Sequence, residues 1–400
     1  MTTRSDTSSD AGSHAAPDPG PDDDARSDAS AARDSGSPRG SRRAVDGRRR
    51  RGLAVLGPPA LLALLVVLPL LDVSVPGVLP GATYTPGTLQ LLALCLLFAA
   101  LALTYHVIFG IAGLLSFGHA LYLAVGAYGL GILLDRTDLS LLPAMVLTLL
   151  GGTAVAVVLG LVGLRVGGIS FAMVTLAFAQ AGSVLIRRNP DVTGGDESLR
   201  LNTTHVPDAL VGVTDTRNLY WVALALVVLV FGLVTWFECS RAGRVAAATR
   251  ENELRVRVLG LRPFAVKLLA FVIGAALAVL VGMVYLLLQS GVTPRVASAD
   301  FTLTILVIVV LVGLGSRWGA VVGGVVYTLL DQRLSTFAGS DTVAGLPTVL
   351  RVPLSEPLFI LGTLFVLVVL FVPGGLAGLG SRLAAGRRSA HSTSAGQDVP

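Results

Sequence analysis

Polar side chains are scarce in this chain, and one group of them is dense enough to do chemistry or to bind. Arg250-Glu251-Asn252-Glu253 lies in a basic, helix-compatible stretch, residues 241–271, that also carries Gly260 and the chain's only lysine, Lys267. The stretch runs between two long apolar segments. Charge of that density cannot lie in hydrocarbon, so it belongs on a membrane surface or against a soluble partner. The pattern predicts a docking helix that Gly260, tolerant of positive φ, can end and that Pro263 stops. Three smaller groups stand apart. Ser116-Phe117-Gly118-His119 puts a hydroxyl and an imidazole inside an apolar run, where both have to face protein or a cavity. Gln180 is the one side-chain amide in another run, and Thr193-Gly194-Gly195 marks a turn beyond it.

Several chemistries are excluded. A Walker A loop needs GxxxxGK[ST], and Lys267 is preceded by Pro-Phe-Ala-Val. The apolar runs hold almost no ionisable groups, which argues against an ion-coupled carrier. They show no paired nucleophile and base and no metal-ligand cluster. Gly-Leu-Gly-Ser-Arg-Trp-Gly, residues 313–319, lacks the spacing and the preceding strand of a dinucleotide fingerprint. Cys95 and Cys239 are far apart, one inside an apolar run and one at the edge of another, so neither a disulfide nor a metal site is expected. A protein without an ATP site or a coupling residue is either passive or energised by another subunit through the basic surface.

The elements that must position these residues are set by composition. Of 400 residues 53% are hydrophobic and 14% charged, against about 25% charged in soluble domains. About 20 apolar residues cross the ~30 Å hydrocarbon core, and the chain offers about ten such stretches. They are 53–71, 88–109, 111–134, 141–164, 168–186, 219–237, 265–288, 301–315, 317–334 and 356–372. The expected fold class is therefore all-α and polytopic. The net charge of +5 comes from basic residues clustered beside the runs, which reads as orientation in a lipid bilayer rather than nucleic-acid binding.

Arg42, Arg43 and Arg48 to Arg51 precede the first run and predict a cytoplasmic N-terminus. Ten spans then place the 238–264 loop, with six arginines, and the C-terminal tail on the cytoplasmic side. Residues 1–51 are rich in Ser, Asp, Ala, Gly and Pro and end in the arginine run. They are expected to be a disordered cytoplasmic tail rather than a signal peptide. Residues 52–380 form the expected transmembrane domain, and 381–400 a second disordered tail.

Taken in order, the motifs resemble the permease subunit of branched-chain amino acid ABC transporters, of the LivM type. The resemblance is carried by GLLSFGHALYLAVGAY (113–128), SFAMVTLAFAQ (170–180) with TGGDESL (193–199), RENELRVRVLGLRPFAVKLLAFVIGA (250–275), VGLGSRWGAVVGG (312–324) and FVPGGLAGL (371–379). It covers about residues 88–379. The chain departs from the family's usual wording at Ser198, at Ala278 and Gly282, and at Ala320. The resemblance implies the ABC importer permease fold in a bacterial plasma membrane. It also implies a second homologous permease subunit, two cytoplasmic ATPase subunits that use the ATP, and an extracytoplasmic solute-binding protein. No cofactor is expected on the chain itself. Arg250, Glu251, Asn252, Glu253, Gly260 and Lys267 become the ATPase-coupling loop. Ser116, Phe117, Gly118, His119 and Gln180 are assigned to the solute path, and Thr193, Gly194 and Gly195 to an outer loop. The alternatives are a urea or short-amide permease of the same family, or a self-sufficient carrier or channel, which ATP dependence of uptake would distinguish.

Overall fold

Long apolar runs have no competing use for their backbone polar groups in a bilayer, and here they become helices. The computed structural model describes residues 65–70, 81–210, 216–312, 316–338 and 357–371. All of these fall in one unit, Ala60–Pro400. Both tails (1–51 and 381–400) and most of the expected span 53–71 lie outside the described residues. Helix α1 (Pro86–Tyr105) starts with proline in its first turn and runs into a π-turn, His106–Ile111. Then follow α2 (His119–Arg136), α3 (Leu141–Gly163), α4 (Ile169–Arg188) and α5 (Thr216–Cys239). Two short helices, α6 (Arg241–Glu251) and α7 (Glu253–Val258), lead to α8 (Pro263–Gln289). The last described helices are α9 (Ala299–Val312), α10 (Arg317–Ala338) and α11 (Pro357–Phe371). Among the described residues, five stretches are long and apolar enough to cross a bilayer: Pro86–Ile111, α3, α4, α5 and α8. The all-α, multi-pass architecture expected from composition is the one observed.

One expected span is corrected. The sequence reading runs a helix through 111–134, but residues 112–118 are not helical and α2 begins at His119. Gly113 takes a φ of +69°, which breaks the helix at little steric cost. The freed backbone groups find side-chain partners. The Tyr105 hydroxyl donates to the Ser116 carbonyl at 3.0 Å, and the Phe117 N–H donates to Thr175 Oγ1 at 3.0 Å. Such partners make irregular backbone tolerable at membrane depth.

Packing separates central from peripheral helices. The apolar windows of α1 and α8 are 78% and 72% buried, those of α3 and α4 only 22% and 33%, so the latter pair forms the rim. The α2–α8 contact is made backbone to backbone. A Cβ on Gly126 would strike the Val279 carbonyl, and one on Gly282 would strike the Leu123 carbonyl. This reciprocal pair lets two helices approach closely along apolar faces. Gly324 of α10 does the same against Ala99 of α1.

The ends of the helices sort onto two faces. β1 (Leu199–Arg200) follows α4 and pairs antiparallel with β2 (Gly291–Val292), which follows α8, with Leu199 opposite Val292. This ribbon marks one face. The opposite face carries α6 and α7, the π-turn and the start of α10, and is called the basic face below.

Candidate functional site

The loop on the basic face is a clamp built from residues that mostly bond inward. Ser240 caps α6, its Oγ accepting from the Gly243 N–H at 3.0 Å. Gly243 is required at this corner, since a Cβ would strike the Phe237 carbonyl. Gly243, Ala246 and Thr249 turn the small face of α6 inward, and α6 lies against α8 and the π-turn. From its last turn Arg250 reaches the helix break. Nη1 donates to the Gly110 carbonyl, and a Cβ on Gly113 would meet Arg250 Cγ at 2.6 Å. Gly113 thus provides both the left-handed turn and room for the arginine.

The single expected helix across this loop is instead two. Asn252 is extended (φ −158°), and its Oδ1 accepts from the Arg255 N–H at 2.9 Å, so it ends α6 and caps α7. An asparagine favours a cap over a helix interior because its side chain competes for backbone N–H groups. Glu253 binds Arg257 within α7 and Lys267 on α8, each at 2.5 Å. The hydrogen bond from Lys267 outweighs the opposing effect of partial burial, and together with Arg257 it holds the Glu253 carboxyl below the usual range. Gly260 has a φ of +76° and closes α7 as expected. Of the six expected coupling residues only Glu251 and Gly260 make no side-chain hydrogen bond or ion pair among the described residues. The outward-facing apolar side chains are ones the sequence reading passes over: Leu254, Val258 and Leu259, 71%, 80% and 72% exposed.

The expected path residues do not come together. Ser116, in the broken segment, and His119, the first residue of α2, are fully buried. Thr104 Oγ1 donates to the Leu101 carbonyl, so it must accept from His119 Nε2 at 2.8 Å, which leaves Nδ1 as the imidazole's lone-pair nitrogen. Phe117 is half-buried, and Gly118 is held by α4, where a Cβ would meet the Thr175 carbonyl oxygen at 2.5 Å. Gln180 sits on α4 too, but on its exposed face, away from Thr175. On the ribbon face, Thr193 Oγ1 lies within hydrogen-bonding reach of the Ile186 and Asn189 carbonyls. Gly194 and Gly195 take φ of +74° and +58°, which turns the chain into β1.

Sequence reasoning missed a polar triad at the basic face. Glu238, at the end of α5, accepts from Arg317 at 2.7 Å, and its other oxygen lies 3.1 Å from His106 Nε2. The Arg317 guanidinium also stands 5.7 Å from the Phe231 ring centroid. Three segments distant in sequence meet here. The available signal was that Glu238 and Arg317 each terminate an apolar run, since a charge at such a place needs a partner or the interface.

Comparison with known proteins gives the context. A family model described as the permease component of branched-chain amino acid transport systems matches residues 87–372. The high-affinity branched-chain amino acid permease protein LivM of Escherichia coli (strain K12) is 28% identical over 277 residues, covering 63% of this chain and 64% of the relative. LivH of the same organism is 24% identical over 287 residues, covering 66% and 91%. BraD of Pseudomonas aeruginosa is 26% identical over 286 residues, with the same coverage. The chain thus spans about 64% of the length of the LivM relative.

Proposed function

The chain belongs to the permease component family of branched-chain amino acid transport systems, and on that premise we propose that it is a transmembrane subunit of an ATP-driven importer for branched-chain amino acids. In this reading it pairs with a second, homologous permease. It has no ATP site of its own and takes its energy from two ATPase subunits docked on the basic face. A binding protein delivers solute to the ribbon face. The basic face and both termini are then cytoplasmic, in a bacterial inner membrane. The names of the relatives, which specify branched-chain amino acid transport, support the substrate class.

The observation that carries the reading is the clamp. Leu254, Val258 and Leu259 give an ATPase an apolar edge to hold. Burying each against a partner is worth about 1.5–3 kcal/mol. Force on that edge passes through Glu253 and Lys267 into α8, and through Arg250 into the break before α2. The reciprocal glycines join α8 to α2, so the two spans move as a pair. Nucleotide can shift such an equilibrium only by contacting the two states differently, and α7 is where that difference is felt. The solute path runs beside Ser116, Phe117, Gly118 and His119, whose segment opens when the break flexes. Gln180 reaches it only from a passage shared with the second permease.

The test is reconstitution with the partner subunits in vesicles. Leucine accumulation is expected to require ATP, and Leu254→Asp with Val258→Asp is expected to release the ATPases while the permease stays inserted. Leucine uptake without ATPase subunits would refute the proposal. Uptake of urea or acetamide in place of leucine would move the substrate within the family.

A further inference from the structure

Between the α3–α4 turn and α7 lies a cavity of about 500 Å³ that the contacts described above leave open. The break at Gly113 and Leu114 forms its floor, and its walls carry Arg165, Glu253, Arg257 and Lys267. Three cations against one carboxylate leave the lining doubly positive. Glu253 engages one nitrogen of Arg257 and the ammonium of Lys267, so it draws the two cations together while their other N–H donors stay uncommitted among the described residues. The Arg165 guanidinium makes no ion pair or hydrogen bond among the described residues, its backbone N–H alone being committed, to the Val162 carbonyl. The lip is clear, because a Cβ at Gly167 or Gly168 would meet nothing within 4 Å.

The surroundings select the ligand. The cavity opens at the ends of α3 and α4, the two least buried of the long apolar helices. Its lip continues into Val166 and Ile169, 40% and 77% exposed. A small soluble anion would neutralise the cations and leave that apolar border in water. An anion that carries its own hydrocarbon satisfies both. Basic pockets between helix ends at the membrane surface suit such headgroups.

We propose that this cavity binds the phosphodiester of an anionic glycerophospholipid, with Arg165, Arg257 and Lys267 on the phosphate oxygens and the acyl chains along Val166 and Ile169. The bound lipid then braces the Glu253 bridge between α7 and α8. The inference rests on membrane insertion alone and stands or falls independently of the transport reading.

The experiment is native mass spectrometry of the detergent-purified full chain titrated with phosphatidylglycerol or phosphatidylcholine. Arg165→Gln with Arg257→Gln is compared with the corresponding double lysine variant, and with Arg187→Gln and Arg188→Gln on the ribbon face as a control. One tightly retained phosphatidylglycerol is expected on the unmodified chain. Removing each cation should weaken it roughly fivefold, so the double glutamine variant binds about thirtyfold more weakly. The lysine variant should restore binding, and the ribbon-face control should match the parent. Equal retention by the glutamine variant, or of phosphatidylcholine and phosphatidylglycerol alike, overturns the proposal. So does displacement by inorganic phosphate at the same concentration as the lipid, which would mark a free-anion site.

Discussion

Gly282→Ala tests the joint on which the proposed motion depends. The added Cβ would lie 2.9 Å from the Leu123 carbonyl carbon and 3.1 Å from the Ala127 nitrogen, with the Leu123 oxygen closer still. All of these are backbone atoms, so no side chain can rotate away. Ordinary contact requires α2 and α8 to part by about 1 Å, and a gap of that size forfeits roughly a quarter to a half of each dispersion well along the crossing. Overpacking a filled interior costs about 1–3 kcal/mol, while alanine in a helix returns up to about 1 kcal/mol over glycine. Gly151→Ala is the matched control: its Cβ would meet nothing within 4 Å, so it keeps the helix gain without the clash. The helix gain is common to both variants, so they should differ by the overpacking cost alone, about 1–3 kcal/mol, or roughly 1–4 °C in the unfolding midpoint of a chain of this length. Cys95 is buried and Cys239 exposed. In a Cys239→Ser background, a thiol-reactive dye therefore reports unfolding through Cys95 alone. If Gly282→Ala and Gly151→Ala melt within a degree of each other, the backbone contact does not exist in the membrane domain.

Other consequences follow from the same geometry. The folded pKa of Glu253 lies below its unfolded one. The bridge to Lys267 therefore adds stability above the ordinary carboxylate value of about 4.3, and loses it as pH falls through the depressed folded value. Hydrogen exchange of the 253–258 amides should accelerate in that acid window, and the pH step should vanish in Glu253→Gln. Glu238→Gln removes the one carboxylate shared by His106 and Arg317. With Arg317 a third exposed, the loss is expected near 1–2 kcal/mol rather than the 3–5 kcal/mol of a sealed pair, read as a lower melting midpoint at neutral pH. Ser198 holds φ 85°, ψ 147°, a region that glycine occupies freely, so Ser198→Gly should raise stability by about 1 kcal/mol. A lowered midpoint in that variant would show that the Ser198 hydroxyl matters more than its backbone.

What could be read from the sequence was what depends on local composition. The apolar runs at 141–164, 219–237 and 265–288 lie within about three residues of α3, α5 and α8 because length and hydropathy alone decide them. The glycines at 194, 195 and 260 were legible as turn formers and take positive φ. The interruption was expected at Gly110, between the runs 88–109 and 111–134; that it falls instead at 112–118 was not legible, because Gly113 stands in a run as apolar as its neighbours. Tyr105 and Thr175, which make the interruption tolerable, come from other helices. The Glu238 triad was hidden for the same reason: Arg317 is 79 residues away. Ser198 was flagged only as a departure from the family's wording, and its strained backbone gives that departure a physical meaning.

The inward bonding of the loop changes how its charges are understood. If Arg250, Glu253 and Lys267 were docking contacts, their interactions would be exposed and weak, as surface ion pairs are. Instead Arg250 is committed to the Gly110 carbonyl, and Glu253 to Lys267 on the next span. These contacts make α6 and α7 stiff extensions of the membrane helices. A flexible loop would absorb a push at Leu254 or Val258 in its own torsions. A loop clamped at both the break and α8 passes it on, because packed elements shift between discrete arrangements rather than deform continuously. Arg250→Ala separates these cases: it leaves the apolar edge intact, so ATPase binding should persist, while leucine accumulated per ATP hydrolysed should fall severalfold. A parallel loss of binding and uptake would mean that Arg250 belongs to the docking surface after all.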